Sequence, residues 1–268
     1  MRPVANARMY SATPQLRADW KRLLAWSLQR AGLDWDVIDH DPPAPLNALW
    51  ARDDLGLAMM CGLPFSQRAV KPFLVAAPVP SPARYGDRPV YFTDMVVRAD
   101  APFQQLEDTF GGTVGYTLAD SMSGGVAFRH HLAPYRARRG TRLYREAVGN
   151  LIHARGVIEA LAAGRIDIGP LDSYYHDLLR HNDPAFAGQV RTIASTAARP
   201  IPPLIATVDL DAATLARLRD ALRAAVRAPE LRAETERLLL VDFAVPEADS
   251  YGVLAEIAAQ PAPAFEEL

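Results

Sequence analysis

Two long extended stretches, residues 90–97 and 190–195, most constrain the topology open to this chain. Both are rich in β-branched and apolar residues and read as strands. Between them lies a segment of about a hundred residues whose alternation of strand and helix patterns makes a complete crossover unit. Before them, residues 4–10 read as a strand. Pro14 then opens a helix to Arg30, with Leu16, Trp20, Leu23, Leu24 and Leu28 near helical spacing and Gly32 as its stop. A short strand at 35–38, a turn punctuated by Pro42, Pro43 and Pro45, a short helix at 46–50 and strands at 55–60 and 73–79 complete the N-terminal part. After them, Pro200, Pro202 and Pro203 lead into a strand at 204–208. Helices are expected over 212–226, 229–238 and 248–259, and the tail 261–268 is expected to fray. The economical reading is an α/β fold of two lobes joined by two crossing strands. Residues 1–93 with 196–268 form lobe one, and residues 94–195 form lobe two. A chain of 268 residues is comfortable for two lobes of ordinary size.

Bulk properties exclude several functions. With 29 basic and 31 acidic residues the net charge is −2, which offers no electrostatic footprint for nucleic acid or an anionic membrane. The one basic cluster, Arg136, Arg138 and Arg139 beside Gly140, reads as a solvated loop. Cys61 is the single cysteine, so no intramolecular disulfide forms, and it reads as a buried structural thiol. No apolar run has the length of a membrane span. The first residues carry neither an apolar leader core nor a lipid-attachment cysteine. The chain as written is therefore expected to stay in the cytoplasm, or to be periplasmic if a leader has been removed. There is no metal-ligand spacing, no Gly-x-Ser-x-Gly elbow and no phosphate loop ending in Gly-Lys-Ser/Thr. No catalytic residue, metal or cofactor is assigned.

The richest local signal runs from Gly111 to Gly125. It reads as a strand, a turn, and a helix that begins near Ser123. Ser121, Ser123, Gly124 and Gly125 lie where a helix leaves its first N–H groups unpaired. Such an end carries partial positive charge and can hold a phosphate-like or carboxylate group without a lysine or arginine. An ordinary serine N-cap is the plainer reading. Ser121 and Ser123 are the first choice for ligand contact, with Met122 and Gly124 in the same turn. Tyr10 and Ser11 are expected at the carboxyl end of the first strand, where ligands collect in α/β lobes; Tyr10 either contacts a ligand or packs in the core. Thr93 and Asp94 sit on the first crossing strand, and Asp94 either orients a ligand amine or holds the hinge. Asp172 and Ser173 follow an expected strand at 166–169, with Asp172 either an N-cap or a contact for a cationic group. His130 and His131 are expected at the surface.

The segment Asp120-Ser121-Met122-Ser123-Gly124 resembles the Ser-x-Ser-Gly signature of the phosphate/phosphite/phosphonate-binding proteins of ABC importers. Residues 164–173 are similar to that family's Gly-x-Ala-Asp…Asp-Ser element, residues 200–206 to its proline-rich return, and residues 238–243 and 251–254 to its closing helices. Two positions depart from the pattern. Where the family has Gly-Ser-His before a lobe-two helix, this chain reads Gly149-Asn150-Leu151-Ile152-His153, displacing the histidine, and Met122 stands where a small or hydroxyl residue is usual. The resemblance implies a type II periplasmic-binding-protein fold. It also implies capture, between the lobes, of a small anionic or zwitterionic ligand, phosphonate- or phosphate-like, for ABC-type uptake with a permease as partner. The same architecture also resembles cytoplasmic menaquinone-pathway dehydratases and thiamine-pyrimidine synthases, and a ligand-sensing module is a further alternative.

Overall fold

The computed structural model describes residues 2–41 and 44–268, so Pro42 and Pro43 of the expected turn lie outside the described residues. The first part of the chain forms β1 (Val4–Asn6), α1 (Pro14–Arg30), β2 (Asp36–Val37), α2 (Leu46–Trp50), β3 (Leu55–Met59), α3 (Gly62–Gln67) and β4 (Phe73–Pro80). Next come β5 (Val90–Tyr91), β6 (Thr93–Arg98), β7 (Thr113–Gly115), a π-helical turn (Met122–Val126), α4 (Ala127–Arg139), β8 (Glu146–Val148) and α5 (Ala154–Ala162). They are followed by β9 (Gly169–Asp172), α6 (Ser173–Asn182), α7 (Pro184–Ala187), β10 (Val190–Ser195) and β11 (Arg199–Pro200). The chain closes with β12 (Leu204–Ala206), α8 (Ala212–Ala225), α9 (Arg232–Arg237), β13 (Leu240–Ala244) and α10 (Gly252–Ala259). It divides into two units, Met1–Val90 with Pro200–Gly252 and Tyr91–Arg199 with Val253–Leu268. Among the described residues no helix is long and apolar enough to cross a membrane.

The first unit is built on a six-stranded sheet in the order β13-β4-β12-β3-β1-β2. β1 runs parallel to β2 and β3, because α1 and α2 supply the crossovers. β12 and β13 are antiparallel additions, β12 between β3 and β4 and β13 on the far side of β4. The closing-helix expectation for residues 238–243 is thus corrected. Residues 240–244 form a strand, held by pairing with β4, which only the tertiary structure supplies.

Helix α1 follows its sequence signals closely. Thr13 Oγ1 accepts from Leu16 N–H at 3.2 Å, and Pro14 occupies the first helical position. Its C-terminus is a Schellman motif: Leu33 N–H donates to Leu28 O, Gly32 N–H to Gln29 O, and Gly32 has φ +72°. Leu16, Trp20, Leu23, Leu24 and Leu28 are all buried. On α8, Leu218, Ala221, Leu222 and Ala225 form a buried stripe at matching spacing. Asp19 is buried as well, and its carboxylate takes both Arg237 Nε (2.8 Å) and Nη2 (2.7 Å). The bidentate geometry compensates the carboxylate for lost water.

The second unit has an antiparallel sheet in the order β10-β6-β9 and a parallel pair, β7 with β8. A parallel bridge between Val114 and Ile168 joins the two. β9 therefore lies three residues later than the expected strand at 166–169, whose Ile168 makes only this bridge. The core includes Met95, Val97, Val114, Phe128, Leu132 and Ile168. The C-terminal tail belongs to the same core. Residues 253–268 cluster here rather than in the first lobe, and they do not fray, because Phe265 and Leu268 are buried. The Arg136–Arg139 cluster is the last turn of α4 rather than a loop, ended by Gly140 at φ +71°. Arg138 lies over the Tyr135 ring and Arg139 over Phe110. Cations are favoured at this end by the exposed carbonyls of a helix C-terminus.

Leu23→Ala should lower the stability of the first unit by about 2–5 kcal/mol, since it empties a fully buried site. Urea unfolding followed by far-UV circular dichroism would show this as a lower midpoint.

Candidate functional site

The helix start singled out in the sequence takes an unusual form. Val126 N–H donates to Ser121 O at 2.8 Å and Ala127 N–H donates to Met122 O, so the first turn closes i→i−5 rather than i→i−4. A π turn leaves the N–H groups of residues 122–125 ahead of the first helical bond. Gly124 N–H is taken by Ser121 Oγ at 3.3 Å, which makes Ser121 the N-cap. Ser123 Oγ has no hydrogen-bond partner among the described residues, and both serines are half-buried. Met122 is buried and fills core space rather than facing outward.

The turn keeps this shape because it lacks two side chains. A Cβ on Gly124 would stand 1.7 Å from Thr117 Oγ1, and one on Gly125 would stand 2.3 Å from Leu118 O. The Thr117–Ala119 loop therefore lies directly against the helix start, with Thr117 N–H donating to Gly124 O at 3.0 Å. From the sheet side, Thr93 Oγ1 donates to Ser123 O at 3.0 Å. Thr93 itself is buried and bonded through its own N–H to Thr196 Oγ1 at 3.0 Å.

Eight of the ten expected site residues lie in the second unit; Tyr10 and Ser11 lie in the first. β1 ends at Asn6, so Tyr10 falls in the turn before α1 rather than at a strand end, and it is buried. Ser11 Oγ donates to Ala7 O at 2.7 Å. Within the second unit the pairing of β6 with β9 sets Thr93 opposite Asp172 and Asp94 opposite Leu171. Asp172 caps α6, accepting from Tyr174 N–H and Tyr175 N–H at 3.0 Å each. Ser173 is fully buried, and its Oγ accepts from Phe92 N–H at 3.0 Å. Asp94 is fully buried too. Its carboxylate meets His176 Nδ1 at 3.0 Å and accepts from Ser195 Oγ at 2.8 Å, tying β6, α6 and β10 together. Asp94 therefore holds strands rather than facing out to a ligand amine. The expected contacts at Thr93, Asp94 and Ser173 become the frame beneath the turn, because burial closes them to solvent.

His176, Ser195, Thr117 and Thr196 were not singled out in the sequence. Two adjacent hydroxyls at the end of the second extended stretch were the available signal for Ser195 and Thr196, whereas His176 meets Asp94 only through the fold. Burial pushes the His176 imidazole below its ordinary range and outweighs the opposing pull of Asp94; Arg180 pushes in the same direction as burial, and Asp177 opposes it. Its Nε2 is buried with no partner among the described residues, so a second proton there would have no acceptor. His130 and His131 are half-buried rather than exposed, and burial lowers both. His153, displaced from the family position, is the N-cap of α5, its Nδ1 accepting from Gly156 N–H at 3.1 Å. The preceding residues carry positive φ at Asn150 (57°) and Ile152 (66°), which puts a β-branched residue in a strained region. Among the described residues no three His, Cys, Asp or Glu side chains are grouped to hold a metal ion.

The family comparison gives the transport class to which a chain of this fold belongs. The family profile described as "ABC transporter, phosphonate, periplasmic substrate-binding protein" matches residues 11–251. The chain belongs to this family. Its members are substrate-binding transport proteins, which implies a small ligand and an ABC permease. No curated protein sequence matches the chain. Solved structures share the type II periplasmic-binding-protein fold at low identity. A binding protein component of an ABC phosphonate transporter from Pseudomonas aeruginosa is 17% identical with a TM-score of 0.75, over 96% of this chain and 86% of that one. PhnD1 from Prochlorococcus marinus, solved with methylphosphonate, is 13% identical with a TM-score of 0.68, over 96% and 97%. A Xanthomonas citri protein solved with ATP is 22% identical with a TM-score of 0.62, over 97% and 96%.

Stability should be constant above about pH 6.5 and fall as the pH drops below it, because unfolded histidine binds a proton that folded His176 resists. His176→Gln should reduce this dependence in urea titrations from pH 8 to pH 5, leaving the slope from His130 and His131, which burial lowers as well. Gly124→Ala should cost about 1–3 kcal/mol through the forced contact with Thr117. Adding Thr117→Gly should recover part of that loss in the same measurement.

Proposed function

We propose that the turn of residues 121–125 binds the anionic head of a phosphonate. Ser121 and Ser123 supply hydroxyls, and the N–H groups at the helix start supply donors aimed at the same charge. A tetrahedral phosphonate presents three acceptor oxygens, and donors on a preformed turn meet them without reorganising. The observation that carries this reading is the π turn itself, which places an additional N–H ahead of the helical ladder beside a hydroxyl that has no internal partner. The methylphosphonate in the Prochlorococcus marinus relative supports the same ligand class. Asp172, half-buried and opposite Thr93 in the strand pairing, is the acidic residue proposed to meet a cationic group on a zwitterionic phosphonate.

The protein in this reading is a carrier, not an enzyme. It binds ligand reversibly and delivers it to the membrane permease of an ABC importer, with no bond made or broken and no cofactor. Nothing in the site requires proton transfer, since the donors are backbone amides and hydroxyls that do not titrate near neutrality.

A thermal-shift screen against methylphosphonate, inorganic phosphate, sulfonates and carboxylates tests this. A ligand at a hundredfold excess over its Kd should stabilise the protein by about 2.7 kcal/mol. The double variant Ser121→Ala, Ser123→Ala should lose the shift while the free protein still unfolds in one transition, at a midpoint lowered by loss of the Ser121 cap. An unchanged shift in that variant, or no response to any of the anions, would overturn the assignment.

A further inference from the structure

We infer that Phe265, in the C-terminal tail, is a positioning residue for the turn of residues 121–125. The inference rests on that turn being the binding element. The Phe265 ring is only 2% exposed. One face stacks on Tyr116, with centroids 4.1 Å apart and planes 6° apart. Phe128 meets the same ring at 5.9 Å and 45°. These two neighbours are the two arms of the turn. Tyr116 directly precedes Thr117, whose N–H holds Gly124 O, and Phe128 lies in the first turn of α4, four residues after Gly124. The ring is thus a wedge between the loop that enters the site and the helix that leaves it.

The tail is fastened so that the wedge cannot drift. Tyr116 OH donates to Glu266 Oε1 at 3.0 Å, and Arg136 Nε on α4 donates to Glu267 O at 3.1 Å. Leu268 is fully buried, and its carbonyl accepts from Leu143 N–H and Tyr144 N–H. Each arm therefore receives both a ring contact and a polar contact from the tail. Close-packed interiors transmit such displacements, so removing the wedge frees the loop to move relative to the helix. Both glycines of the turn lie at that loop–helix contact.

Amide hydrogen exchange at Thr117 and Val126 reads the turn directly, since their N–H groups make its two closing bonds. Phe265→Ala should speed their exchange at least about tenfold relative to the β6 amides, as expected of a local opening. Phe265→Leu, which keeps most of the volume, should fold like the parent and show a smaller acceleration of the same amides. Methylphosphonate affinity, measured by calorimetry, should weaken in the same order. Leu161→Ala, a buried α5 substitution outside the core cluster that holds Phe265, should leave the ratio of turn to β6 exchange and the affinity within about twofold of the parent. Parent-like exchange of Thr117 and Val126 in both Phe265 variants, or an equal effect from Leu161→Ala, overturns the inference. A parent protein that ignores methylphosphonate would refute the binding assignment instead, and the exchange rates would still judge the wedge.

Discussion

The second unit depends on one close approach, the Thr117–Ala119 loop lying against a helix start that has no side chains at Gly124 and Gly125. At that contact the first turn of the helix has π geometry, and the amides of residues 122–125 precede its first helical bond. A helix end exposes donors in any protein. Here the donors are braced from two sides, by Thr117 N–H on Gly124 O and by the Thr93 hydroxyl on Ser123 O. Preorganisation of this kind is what allows uncharged groups to hold an anion.

Beneath the turn lies a buried polar frame. Asp94 joins three elements through His176 and Ser195, Ser173 accepts from Phe92 N–H just ahead of β6, and Thr196 accepts from Thr93 N–H of β6. Buried polar groups are tolerable when they are partnered, and in that state they select one arrangement of the strands. His176 retains one nitrogen without a partner, and its resistance to protonation follows from that together with its burial. The same frame gives Thr93, Asp94 and Ser173, which look like ligand contacts from sequence, their partners inside the unit. Strand ends need backbone partners as much as ligands do.

The tail shows how an apolar residue near the end of a chain can govern a polar site. Phe265 and Leu268 complete a core that the preceding elements leave open, and the ring sits where both arms of the turn converge. The run Pro261-Ala262-Pro263-Ala264 ahead of them has no periodicity and reads as a loose end. Its value lies in delivering one aromatic side chain and one leucine to the core of the second unit.

Local chemistry determined what was legible in the sequence. Pro14 and Gly32 set the limits of α1, the spacing of Leu16, Trp20, Leu23, Leu24 and Leu28 set its buried face, and the serines and glycines at 121–125 marked a helix start. Capping and periodicity act within a turn or two, so a single stretch of chain is sufficient to read them. Residues 240–244 became a strand only because β4 offered an edge, and β9 moved three residues downstream because β6 set its register. Whether Asp94 and Ser173 faced a ligand or a strand, and where Tyr10 lay, depended on partners far along the chain. Such pairings are decided by which surfaces meet and exclude water, and that is a property of the whole fold.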